Sequence, residues 1–152
     1  MGKAMFYHLT QRPMEDTLSM LLGKARAAGW RVVVRGNTAD RMAWLDEKLW
    51  LGAEDGFLPH GLAGGAHDDV QPVLLTTENS RPNGATCLMS IDGAAVSPEE
   101  VSALERVCVL FDGGAADALE IARGQWRKLK EAGVAAEYWS EEGGSWQKMA
   151  ET

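Results

Sequence analysis

Cysteine is scarce in this chain. There are two, Cys87 and Cys108, in apolar runs far apart in sequence. That excludes a disulfide-stapled scaffold and leads us to expect buried free thiols in a reducing compartment. Positive charge is also scarce: 15 Lys and Arg stand against 22 Asp and Glu, a formal net charge of −7. So acidic a chain is a poor general binder of a nucleic-acid backbone, which rewards a basic domain. No apolar run nears the length of about 18 residues that a membrane span needs, and no basic start with an apolar stretch and cleavage site marks export. A cytoplasmic protein without a membrane partner is therefore expected. No internal repeat, low-complexity tract or linker divides the 152 residues. A single domain, 1–152, with a sizeable core is expected.

The motifs of common chemistry are missing too. There is no G-x-x-x-x-G-K-[ST] and no G-x-G-x-x-G between a strand and a helix. His67-Asp68-Asp69 are adjacent with no partner at ligand spacing, a poor metal set. His8 and His60 have no Ser or Cys nucleophile in a recognisable motif nearby. No metal, cofactor or catalytic residue is expected. One alternative stays open. FDGGAAD, Phe111 to Asp117, follows a strand and opens a helix, so a nucleotide-binding protein or enzyme could use that helix N-terminus for an anion. Glycine freedom in a tight turn explains the same residues, and Asp112 puts a negative charge where phosphate would sit.

Apolar runs and helical patterns alternate. Phe6 to Leu9 predicts a strand. Met14, Leu18, Leu21, Leu22 and Ala25 follow at helical spacing, with Gly29 as the stop. WRVVVRG, Trp30 to Gly36, suits a strand buried on both faces. Met42, Leu45 and Leu49 make the stripe of a second helix running to about Trp50. Gly52 to Gln71, with five glycines, predicts a long loop. Further strands are expected at Pro72 to Thr76, in CLMSIDG and at Arg106 to Gly113. A short helix opens at Ser97. A longer helix runs over Ala116 to Ala132, followed by a last strand at Ala135 to Ser140 and a tail with Trp146 and Met149. The class is α/β with a mainly parallel sheet.

What the chain does have in concentrated form is ARGQWRKLK, Ala122 to Lys130: four cations and a tryptophan in nine residues. At about 100° per residue, Ala118, Ala122, Gln125 and Leu129 share the core side. Arg123, Trp126, Arg127 and Lys130 stand at i, i+3, i+4 and i+7 on an adjoining face. Trp126 lies on the border, and Lys128 points elsewhere. A solvated charged face that complements the helix dipole accounts for this. So does a binding surface for a short acidic peptide with an apolar end, clamped by Arg and walled by the indole. So few cations on one helix are poor at following a nucleic-acid backbone. A second candidate surface is Asp46 to Gly65. There Trp50, Phe57 and Leu58 either fold back on the core or dock a partner.

Several separated blocks, in order, resemble one family. They are FYHL, RMAWLDEKLW leading into GFLPHG and LAG, ERVCVLFDG, ARGQWRKLKEAG, and EYWSEEGGSWQKM. The chain is identified by them as similar to the chi subunit of bacterial DNA polymerase III holoenzyme. The resemblance implies a three-layer α/β/α sandwich, Rossmann-like without a nucleotide site. It also implies a non-catalytic accessory subunit of the clamp-loader assembly in the bacterial cytoplasm. Such a subunit links the replicase to single-stranded DNA-binding protein, and through it indirectly to single-stranded DNA. The family's contacts with that protein's acidic C-terminal tail, which ends in Pro-Phe, match Arg123, Trp126, Arg127 and Lys130. Phe57 matches an interface for the psi subunit or a helicase-like partner, with Trp50 and Leu58 close in sequence.

Overall fold

In the computed structural model, residues 2–10, 13–51, 60–141 and 146–151 are described. They build one eight-stranded sheet from β1 (Lys3–Leu9), β2 (Val32–Arg35), β3 (Gly61–Leu62), β4 (Val73–Thr76), β5 (Cys87–Ser90), β6 (Arg106–Asp112), β7 (Ala136–Ser140) and β8 (Gln147–Glu151). The strand order is β3-β4-β2-β5-β6-β1-β7-β8. The first seven pair in parallel, and β8 closes the edge antiparallel to β7. Four helices connect the strands: α1 (Met14–Ala27), α2 (Ala39–Leu51), α3 (Pro98–Ala103) and α4 (Ala116–Glu131).

Strand side chains alternate between faces, and here both faces are apolar. Val32, Val34, Leu75, Cys108 and Leu110 enter one cluster. Val33, Leu74, Val107 and Val109 enter the other. Continuous apolar strands are what a parallel sheet covered on both sides requires. The first cluster is roofed by α1 through Leu18, Leu21, Leu22 and Ala25, and by α2 through Met42, Leu45 and Leu49. The second is roofed by Val101 of α3 and by Ala122 and Leu129 of α4. The result is the expected three-layer α/β/α sandwich.

Two elements depart from the sequence reading. The stretch after Trp146 is strand β8 rather than a tail. All five of its residues are exposed, so backbone pairing alone makes it a strand and no apolar alternation announces it. The glycine-rich segment contains the short β3 and a 3-10 turn at Asp68–Val70. Asp68 accepts the N–H groups of Gly64 at 2.8 Å and Gly65 at 3.0 Å. Its carboxylate therefore organises a turn. Cys87 and Cys108, distant in sequence, come together on neighbouring strands as buried free thiols. The hydrogen-bonded contact with Cys108, together with burial, pushes the Cys87 thiol well up.

Arg35, the last residue of β2, is 2% exposed. A buried guanidinium must be paired. Its Nη1 and Nη2 donate to Glu100 at 3.0 and 2.7 Å, and it also donates to the carbonyls of Glu78 at 3.2 Å and Ala95 at 3.0 Å. Arg81 adds a 3.1 Å bond to the same carboxylate. Glu100 is also the third residue of a capping box with Ser97 at the start of α3. Burial pushes the Glu100 carboxyl up, but Arg35, the Ser97 N–H and Arg81 together hold it below the usual carboxylate range. A folded-state pKa below the unfolded one gives stability that is present above the ordinary Glu value of about 4.3. That stability is lost as pH falls through the folded value. Glu100→Ala, which strands the buried Arg35 charge, is expected to cost about 3–5 kcal/mol in urea unfolding at neutral pH. Glu100→Gln should flatten the acid limb of the stability curve. Equal limbs in Glu100→Gln and wild type would contradict this assignment.

Candidate functional site

The helix α4 leaves β6 through the FDGG turn. Asp112 Oδ1 accepts the Gly114 N–H at 2.8 Å, which fixes the turn locally. Gly113 has a specific reason to be glycine. A Cβ there would lie 1.8 Å from His8 Nε2, so the imidazole of β1 occupies that space. Close approach, rather than a left-handed backbone angle, sets the residue.

On the inner side of α4, Ala122 and Leu129 are buried, and Ala118, Leu119 and Trp126 pack half-buried against the second cluster. Gln125 Nε2 donates to the Ala94 carbonyl at 2.9 Å, which holds the helix against the loop before α3. On the outer face Arg123, Arg127 and Lys130 are exposed. The predicted stripe is therefore real: three cations on the open side, with Trp126 on the border. Lys128 diverges, as expected, into a cleft beside Asn79, Arg81 and Glu100. Arg123 contacts Glu120 at 3.5 Å, but both side chains are well exposed, and such a pair is worth little. Arg127 and Lys130 form no ion pair among the described residues.

Trp126 is held edge-on by two rings of the sheet face. Its ring centre lies 5.4 Å from Phe6 at 79° and 6.0 Å from Tyr138 at 87°. Phe6 and Tyr138 are register partners on β1 and β7. The Tyr138 hydroxyl is 2.6 Å from His8 Nδ1, and His8 lies 5.2 Å from Phe111. The indole is thus packed between two rings, beside exposed cations. Sequence reasoning missed these supports, and also Leu119, which precedes Trp126 by seven residues on the same helix face. The i, i+7 spacing could have found Leu119. Nothing in the sequence pairs Tyr138 with His8.

The second candidate surface lies on the opposite side of the sheet, since α2 packs on the first cluster and α4 on the second. Trp50 is 49% exposed and stacks on His60 with ring centres 4.3 Å apart. His60 is buried, with Nε2 at 3.1 Å from Asp46. Phe57 and Leu58 lie outside the described residues.

A cleft of about 570 Å³ opens at the carboxyl ends of β1 and β6, where the FDGG turn lies. Open α/β sheets put ligands in such places. Its described lining carries Glu15, Asp92 and Asp112 against one cation, Arg41. Arg41 is already bound to Asp92 at 2.9 Å and covers Trp44 at 4.2 Å. Among the described residues the lining is therefore net negative, which disfavours phosphate. No group of three or more His, Cys, Asp or Glu among the described residues is arranged to hold a metal ion. No helix among them is long and apolar enough to cross a membrane.

Residues 1–137 match the family model described as DNA polymerase III chi subunit, HolC. A relative from Rickettsia prowazekii (strain Madrid E), named "Probable DNA polymerase III subunit chi", is 22% identical over 111 residues. That alignment spans 70% of this chain and 67% of the relative.

The contact between His8 and Gly113 makes a specific expectation. Gly113→Ala should destabilise by about 1–3 kcal/mol through overpacking. In a His8→Ala background the same change should cost much less, because the two sites share one space. Additive costs in a urea double-mutant cycle would contradict the contact.

Proposed function

The chain belongs to the DNA polymerase III chi subunit family, and on that premise we propose that the outer face of α4 binds the acidic C-terminal tail of single-stranded DNA-binding protein. The family places the chain as an accessory replication subunit of the DNA polymerase III holoenzyme. On our reading it works in the clamp-loader assembly in the bacterial cytoplasm as a tether with no catalytic site of its own. It reaches single-stranded DNA only through the binding protein.

The observation that carries this reading is the pairing of a rigid, half-buried Trp126 with the exposed Arg123, Arg127 and Lys130. A fixed aromatic anchor loses little entropy on binding. It offers an apolar wall to the tail's terminal ring, while the cations meet its carboxylates. Trp50, with Phe57 and Leu58, then serves the psi subunit or a helicase-like partner. Because α2 and α4 cover opposite faces of the sheet, both partners can be held together, as tethering requires.

Titration of a labelled tail peptide tests the assignment. Micromolar binding is expected, roughly −7 to −8 kcal/mol, weakening with salt because exposed cations contribute. Trp126→Ala and Arg127→Glu should each weaken it at least tenfold, and unchanged affinity in both would overturn the reading. The cleft at FDGG supplies the contrasting test. Nucleotides with or without Mg²⁺ should leave the melting temperature unchanged, since any ligand of the native state must raise it. A clear rise would favour a nucleotide-binding protein instead.

A further inference from the structure

A cavity of about 340 Å³ lies between α1 and the strands β1, β5, β6 and β7. It is on the first-cluster side of the sheet, away from α4. Tyr7, Trp30, Trp139 and Trp146 give it aromatic walls, and Cys87 and Cys108 are among its lining residues. Tyr7 and Trp146 meet edge-on at 5.3 Å. The two charged residues in the described lining are Lys24 and Arg106, both cations. In a chain of net charge −7, an apolar cavity with two cations and no carboxylate among its described residues is a specific arrangement.

Among the described residues neither Lys24 nor Arg106 forms an ion pair. The Arg106 guanidinium covers Trp30 at 5.6 Å. It forms no ion pair among the described residues, and its Nε is buried without a partner. Trp146 Nε1 is likewise buried and unpartnered. Glu137 stands two residues before Trp139 but is already taken by Lys3 at 2.7 Å and by Trp139 Nε1 at 3.1 Å. Buried donors without acceptors are costly, and a half-buried guanidinium gains most from a carboxylate that it can clamp. Binding cavities of small molecules combine apolar walls of this size with a few placed polar groups.

We propose that this cavity binds a small carboxylate with an apolar body, the body against the tryptophans and the carboxylate against Arg106 and Lys24. Trp139 and Trp146 lie beyond residues 1–137 that the family model matches, so the site includes walls outside that matched stretch. It is separate from the α4 surface.

Decanoate and 1-naphthylacetate serve as probes, with decanol and 1-naphthaleneethanol as neutral counterparts. Binding is read by tryptophan fluorescence and calorimetry on the full chain. At least one acid should bind ten times more tightly than its alcohol. Arg106→Gln should weaken the acid at least tenfold and leave the alcohol within twofold. Lys24→Gln, on the exposed side of α1, should weaken the acid about threefold without disturbing the fold, checked by thermal melting. Arg127→Glu should leave acid binding unchanged while reducing tail binding, which separates this site from the one on α4. The proposal is overturned if neither acid binds, if the alcohols bind as tightly as the acids, or if acid affinity in both Arg106→Gln and Lys24→Gln equals that of the wild type.

Discussion

The buried pairing of Arg35 with Glu100 is the constraint on which this end of the molecule depends. A guanidinium 2% exposed at the end of β2 leaves the chain no choice but to bring acceptors to it. Glu100 answers from α3, and the carbonyls of Glu78 and Ala95 answer from two loops. The same carboxylate caps α3 through Ser97. Segment 94–100 is thereby fixed, with Ser90 Oγ donating to the Ala94 carbonyl at 2.6 Å. That same carbonyl receives Gln125 of α4. The charge buried under β2 thus reaches the helix that carries the basic stripe.

The α4 surface joins two kinds of side chain with opposite entropic character. Trp126 is locked between Phe6 and Tyr138, and its pose is settled before any ligand arrives. Arg123, Arg127 and Lys130 are exposed to solvent, where long side chains lose rotamer entropy only when a ligand orders them. A rigid apolar anchor supplies most of the affinity in small interfaces, while rim charges steer and select. On the proposed reading, this arrangement suits a brief, reversible contact with an acidic tail better than a permanent interface.

Electrostatics organises the rest. The overall charge is −7, yet cations gather at two places on opposite sides of the sheet: the outer face of α4 and the cavity beside Arg106. The cleft at the strand ends, where an α/β fold would ordinarily receive a phosphate, instead carries Glu15, Asp92 and Asp112 against the single cation Arg41 among its described residues. Distribution, rather than net charge, distinguishes this helix face and these two hollows from one another.

Much of this was legible in the sequence. Runs such as Val32–Val34 and Val107–Leu110 specify buried parallel strands, because side-chain alternation makes a strand apolar throughout only when both faces are covered. The helical period alone placed Arg123, Trp126, Arg127 and Lys130 on one face and sent Lys128 elsewhere. Strand β8 was not legible, since its exposed residues carry no pattern and only pairing with β7 makes it a strand. The tertiary structure alone decided that His8 occupies the space beside Gly113, that Tyr138 and Phe6 support Trp126, and that Arg35 and Glu100 meet across 65 residues. It also brought Lys24 and Arg106 to one cavity. Local spacing fixes which side chains share an element's face. Which faces then meet is set by strand order and crossover connections, and these join residues that the linear chain keeps apart.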